Sequence, residues 1–381
     1  MPREPAAPRL DVDAIIADPA VRIVVCCGAG GVGKTTTAAA VALRAAERHG
    51  RRTVVLTIDP ARRLAQSLGL SELDNVPRQV KGIDAEAGGE LHAMMLDMKR
   101  TFDEVVLAHT DPHRAAEIFA NPFYQAMSST FSGTQEYMAM EKLGQLRARN
   151  DWDLIVVDTP PSRSALDFLD APARLSRFLD GRMLRLLLAP ARAGGRSVFS
   201  LVTASFGMFT RVVQKVIGAQ LLTDLSGFVA ALDSMFGGFR QRAEQTYRIL
   251  QARETAFLLV ATPEPDAVRE AAYFARRLGD ERMPLAGLVL NRMHRPAAPE
   301  LPAERALAAA AALAAEAAHR GAADALRIHA ELIRQATRER AVAARFRAEF
   351  PAVPTVLVGA QPADVHDVDG LRTIGAALAA G

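Results

Sequence analysis

The feature that most restricts the fold lies near the start of the chain. Residues 21–27 form an apolar run, broken only by Arg22 and rich in β-branched side chains, that ends in two cysteines. It leads straight into Gly28-Ala29-Gly30-Gly31-Val32-Gly33-Lys34-Thr35, and an Ala-rich stretch over 35–49 follows, with Gly50 just past its end. An apolar run without alternation reads as a strand buried on both faces. A helical stretch closed by glycine has a normal stop. The loop between them fits G-x-x-x-x-G-K-[ST] in the strand–loop–helix setting that this pattern requires. Its glycines let the backbone curl so that several N–H groups face phosphate oxygens. The helix behind it adds its positive end. Lys34 supplies a mobile charge for the phosphates, and Thr35 offers a hydroxyl to Mg²⁺.

Similar apolar runs recur at 53–58, 91–96, 154–157, 256–261, 285–290 and 355–358, with helical stretches between most of them. Such alternation predicts an α/β fold with a doubly wound, mostly parallel sheet covered on both faces. Two regions break the rhythm, 99–150 and 163–253, and both read as helical elaborations. One domain over 1–381 is expected, with a nucleotide-binding core at 20–98, 151–162, 254–294 and 352–381 and a helical subdomain at 99–150 and 163–253. Residues 302–349, rich in Ala, Arg and Glu, read as long surface helices.

Composition removes several classes. Net charge is only +3, and the arginines are interspersed with acids, so no basic block tracks a nucleic-acid backbone. Cys26 and Cys27 are adjacent on a strand, point to opposite faces, and are not expected to pair. No C-x-x-C exists, so neither a zinc ribbon nor a thiol redox pair is expected, and a cytoplasmic setting is the natural expectation. The first residues lack the charged head and long apolar run of a signal peptide. The apolar stretch 197–210 is too short for a bilayer, so no integral membrane span is expected.

Two acids stand at the ends of apolar strands. Asp158 closes the 154–157 run, where a carboxylate can hold Mg²⁺ through water beside the first loop. The bland alternative is a cap on the next helix. Asp59 follows the second strand and emerges on the ligand side, where it could orient or deprotonate an attacking water. Its alternative is a loop residue starting a turn before Pro60.

With these residues in view, the chain resembles the family of arsenical-pump ATPases and ATPases that target tail-anchored membrane proteins. That family is part of the dimeric SIMIBI class of P-loop NTPases, with a deviant Walker A loop. The resemblance rests on GAGGVGKTTTAAA from Gly28, TIDPARRL from Thr57, VVDTPPSRSALDFLDAP from Val156, ATPEP from Ala261 and GLVLNRM from Gly287. It is strongest to the actinobacterial branch, in which two unlike paralogues work together. The resemblance implies ATP or ADP and Mg as ligands. Gly28, Gly30, Gly31, Val32, Gly33, Lys34 and Thr35 would cradle phosphate, with Thr36 on the α-phosphate. Asp59 and Lys34 would be catalytic, and Thr35, Asp59 and Asp158 would form the metal set. Asn291 would read adenine, although asparagine also serves as a strand-end turn residue. Glu264, Pro362 and Asp364 match segments that close over the nucleotide.

Departures from the family pattern carry their own expectations. The family's second lysine, early in the loop, reaches the other subunit's phosphates; here that position is Ala29. A cation supplied in trans is worth roughly 10³- to 10⁵-fold in rate. The expected assembly is therefore a heterodimer with a lysine-bearing paralogue, or else a homodimer that uses Arg62 or Arg163 instead. The cysteine cage of arsenite handlers, the interfacial zinc cysteines of eukaryotic targeting factors and a switch II histidine are all missing. Met127, Met138, Met140, Met183, Met208 and Met235, set among Phe and Leu, are either an ordinary helical core or a groove for a hydrophobic membrane-protein client. A nucleotide-binding regulatory subunit with little turnover is the competing function.

Overall fold

The computed structural model describes residues 8–59, 63–84, 86–122, 124–125, 134–160, 241–314 and 317–380. The expectations placed on 161–240, which hold most of the second helical region, and on Arg62, Arg163 and Met127, lie outside the described residues.

The sheet has eight strands: β1 (Ile23–Cys27), β2 (Arg52–Thr57), β3 (Arg78–Gln79), β4 (Glu90–Met95), β5 (Leu154–Asp158), β6 (Thr255–Ala261), β7 (Leu285–Met293) and β8 (Thr355–Gly359). Their order is β3-β4-β2-β5-β1-β6-β7-β8. Every pairing is parallel except that of the two-residue β3 with β4. β1, β5 and β6 are buried along their whole length, as strands at the centre of a covered sheet must be. From β1 the chain passes to β2 on one side, with β5 filling in between, and later continues through β6, β7 and β8 on the other. That reversal makes the carboxyl end of β1 a switch point, the place where such sheets bind ligands.

Both sheet edges are occupied. At one, β3 and the following Val80 pair with β4, and Met95 N–H donates to Asp74. At the other, Thr355 N–H donates to Pro8, Leu10 N–H donates to Thr355, and Arg295 takes the carbonyl of Leu357 at 2.8 Å.

Helix α2 (Lys34–His49) follows β1. Its buried face is mostly alanine, which allows a close approach to the sheet. It ends at Gly50, held at φ +62, whose N–H donates to Ala45. On α2 pack α1 (Val12–Ala17), through Arg44 and Asp13 at 2.6 Å, and α10 (Val368–Ala380), through Arg372 and the buried Glu47 at 2.7 Å. The remaining helices of this unit are the short α3 (Arg63–Ser67), α7 (Pro265–Asp280), α8 (Ala303–Leu313) and the 30-residue α9 (Arg320–Glu349). α8 and α9 share a small core of Ala303, Ala306 and Ala330, flanked by Leu301, Leu307, Leu326 and Ile333.

The chain divides into two compact units, and the second takes residues 96–148 and 166–248. Its described elements are α4 (Met98–His109), α5 (Pro112–Ala120), most of α6 (Thr134–Arg149) and a helical stretch over 241–248. Asp97 and Asp111 cap α4 and α5 through their side chains. On α6, Met138 and Met140 are fully buried beside Leu143 and Leu146, so these two methionines belong to the core of the unit. Within this unit Glu141, almost wholly buried, meets Arg242 at 3.0 Å.

Candidate functional site

The loop after β1 is shaped by positive φ. Gly28 sits at +151, and a Cβ there would lie 2.0 Å from the carbonyl oxygen of Val260. Gly33, at +97, caps α2, and a Cβ there would lie 2.3 Å from the Asn291 amide nitrogen. Both positions therefore admit glycine alone. Gly31, at +76, has open space around it, and Gly30 and Gly31 are exposed at the mouth of the loop. Val32 is buried beneath. Lys34 is only 6% exposed, and its Nζ donates to the Ala29 carbonyl at 2.7 Å. Burial pulls its ammonium below the ordinary value, and the Asp158 carboxylate works against that. Thr36 is half-buried in the first turn of α2.

Asp158 ends β5 directly beside Cys26 of β1. It is fully buried, and one carboxylate oxygen, Oδ2, accepts from Thr35 Oγ1 at 2.8 Å and from Thr57 Oγ1 at 2.9 Å. The other oxygen, Oδ1, is buried without a hydrogen-bond partner. Burial pushes this carboxyl up to about 6, against the pull of the two hydroxyls and Lys34. A buried carboxylate oxygen left over beside a threonine hydroxyl at a phosphate loop suits a hard divalent cation that takes oxygen ligands and keeps its water. Among the described residues no group of three His, Cys, Asp or Glu gathers to hold a metal, so a cation here would rest on Asp158, a hydroxyl and water.

Asp59 lies two residues beyond β2 and is half-buried. Its N–H donates to Thr57 Oγ1 at 3.2 Å. Thr57 thus ties the Asp59 backbone and the Asp158 side chain to one hydroxyl. Reading the sequence overlooked this residue, because a threonine ending a strand looks like ordinary β propensity.

Asn291 stands near the end of β7, half-buried, and its amide nitrogen donates to the Val32 carbonyl at 2.9 Å. Its oxygen accepts from Arg292 N–H at 2.9 Å. An amide has two donors and two lone pairs, so one of each remains for a ligand. Glu264 is exposed at the start of α7 and makes no side-chain cap. Pro362 and Asp364 are exposed in the segment after β8. The structure thus gathers the phosphate loop, Thr57, Asp158 and Asn291 by direct contact. Glu264, Pro362 and Asp364 follow the carboxyl ends of β6 and β8 without a recorded side-chain bond to that cluster.

A family model for anion-transporting ATPases matches residues 21–306, about three quarters of the chain. The chain belongs to that family. Its relatives include a protein of Prosthecochloris vibrioformis named as an arsenical pump-driving ATPase, 30% identical over 41% of this chain and 37% of that one. They also include the ATPase ASNA1 homolog 1 of Paramecium tetraurelia, 24% identical over 70% of this chain and 73% of that one. The ATPase GET3B of Arabidopsis thaliana is 25% identical over 70% of this chain and 62% of that one. The match spans little more than a third of the bacterial relative's length. Among the described residues, no helix of this member of the anion-transporting ATPase family is long and apolar enough to cross a membrane.

Proposed function

We propose that this chain binds Mg·ATP and hydrolyses it as half of a dimer, coupling the nucleotide state to its helical region and, through that, to a client or partner. The observation that carries the proposal is the unpartnered Asp158 Oδ1 beside Thr35, at a loop whose lysine is already buried against it. Thr35 and Asp158, with Asp59 on the same side, would hold the Mg²⁺, which when bound neutralises phosphate charge. Lys34 would leave the Ala29 carbonyl for phosphate oxygens; that carbonyl is a weaker partner than an anion. Asp59 would position the attacking water and accept its proton. Helix α2 presents free N–H groups and its positive end to the same phosphates.

The family lysine is replaced by Ala29, so the working assembly is a heterodimer in which a lysine-bearing paralogue completes this site. Pumping arsenite is not part of the proposed role. Cys26 and Cys27 are both fully buried, and burial raises both thiols, Cys27 to about 12, which is the reverse of what a thiolate ligand needs. A regulatory subunit with little turnover of its own is the second reading, and Ala29 is the residue that favours it.

The test is ATP turnover by the purified chain with Mg²⁺, beside Lys34→Ala and Asp59→Asn. Lys34→Ala is expected to lose nucleotide binding. Asp59→Asn is expected to bind but to lose at least about 100-fold in turnover, the ordinary worth of a positioned base. Equal turnover in all three would refute the assignment. Binding without turnover in the parent would favour the regulatory reading until the paralogue is added. A mass measurement showing only homodimers in native extracts would remove the heterodimer.

A further inference from the structure

The carboxyl end of β7 is irregular in a way that bears on Asn291. Pairing with β8 shifts register between Leu290 and Met293, and Arg292 inside that shift is held at φ +59. Few residues other than glycine accept that conformation, and bulges of this kind re-aim side chains beside functional sites. Here the bulge turns the Asn291 amide onto Val32, close enough to Gly33 to forbid a Cβ there.

A bulge of that sort needs an anchor beyond it. The next residue but one, His294, is fixed by Glu339 of α9. The two carboxylate oxygens take two different groups of that one residue: Oε2 accepts its backbone N–H at 2.8 Å and Oε1 meets its ring Nδ1 at 2.6 Å. Gln335, one turn earlier on α9, donates to the same Oε1 at 3.1 Å. The Glu339 side chain is 8% exposed, which is rare for a glutamate and costly unless both oxygens are satisfied. α9 lies in the Ala-rich segment to which the sequence assigns no task. It also forms one wall of a cleft of about 710 Å³ whose lining includes Thr262, Glu264, Arg292, His294 and Glu339.

We propose that Glu339 is a positioning residue for base recognition: by bolting His294 to α9 it fixes the bulge that aims Asn291. The proposal rests on the nucleotide reading of the site and assigns the α9 segment a part in choosing the nucleotide.

The experiment is calorimetric binding of Mg·ADP, Mg·GDP and magnesium pyrophosphate to the parent chain, Glu339→Ala, Glu339→Gln, Asn291→Ala and the Glu339→Ala/Asn291→Ala pair. Amide pairing to adenine is worth roughly 10- to 100-fold against the wrong base. The parent is expected to prefer ADP by about that factor. Glu339→Ala should keep the parent affinity for pyrophosphate, which has no base to read. Its preference for ADP should fall to within about threefold of unity, as in Asn291→Ala, and the pair should lose no more than either alone. Glu339→Gln, which keeps one carbonyl acceptor, should hold an intermediate preference, and it decides the matter if the alanine variant does not fold. A parent-like preference in the Glu339 variants, with Asn291→Ala having lost it, overturns the proposal and leaves the nucleotide reading standing. Pyrophosphate affinity falling in step with ADP overturns it too, since the effect would then be general. A parent that binds ADP and GDP alike sinks base reading by Asn291, and the bolt with it.

Discussion

Replacing Asp158 by Asn should make the ligand-free protein more stable at neutral pH while removing its response to Mg·nucleotide. The carboxyl is fully buried and titrates near 6 where an exposed one titrates near 3.8. Two decades of proton affinity amount to roughly 3 kcal/mol. The folded state therefore holds this proton more tightly than the unfolded chain does. The associated stability is fully present below about pH 4, is lost as pH rises, and is gone above about pH 6. Asparagine keeps an oxygen for Thr35 and Thr57 and carries no charge, but it places an N–H₂ where Oδ1 has no partner. That donor costs about 1 kcal/mol or more, leaving a net gain of about 1 to 2 kcal/mol at pH 7.5. For a chain of this length the gain appears as a rise of about 1–2.5 °C in Tm. Thermal melts at pH 4.5 and 7.5, with and without Mg·ADP, read the effect. Parent and variant should lie closer together at the lower pH and separate at the higher one. Mg·ADP should raise the parent's Tm and leave that of the variant little changed. A variant less stable than the parent at pH 7.5 without ligand would refute a buried carboxylate whose partners do not fully offset its desolvation.

Two further predictions concern the frame around the site. Arg51 is 7% exposed, and its guanidinium donates to four carbonyls, those of Ile16, Asp18, Val21 and Asp153. Arg51→Ala should cost about 3 kcal/mol or more in a urea titration, because several buried acceptors lose a charged donor; a loss under about 1 kcal/mol would contradict this. In the phosphate loop, Gly28→Ala should yield protein that does not bind Mg·ADP, since the new methyl would meet the Val260 carbonyl. Gly31→Ala, with open space around it, should pay only for its φ, about 1 kcal/mol. Equal affinities in the two variants, measured by calorimetry, would show that the loop is not held as described.

Much of this architecture is legible in the sequence because burial writes itself plainly there. β1, β5 up to Asp158 and β6 after Thr255 are apolar because both faces are covered, and α2 announces itself by its alanines and its closing glycine. β3 could not be read, since two exposed polar residues carry no pattern. β7 runs three residues past its apolar stretch, through the bulge at Asn291 and Arg292, where backbone geometry and not hydrophobicity extends the strand. Lys34, Thr35 and Asp158 follow from motif and placement. Thr57 and Glu339 do not, because each acts through a partner far away in the chain. Glu339 is one acid among many charges in its helix, and only the fold brings His294 to it.

The two occupied sheet edges have a consequence for how this protein can meet others. A strand arriving at β4 finds β3 and Val80 already in place, and one arriving at β8 finds Thr355 and Leu357 already bonded. Recognition by extending the sheet is therefore left only the two-residue β3 on one side and a partly bonded β8 on the other. That leaves side chains on helices, and the rim of strand ends that surrounds the phosphate loop, as the broader surfaces for docking on this unit. The second of these surfaces is the one on which a bound nucleotide would change both shape and charge.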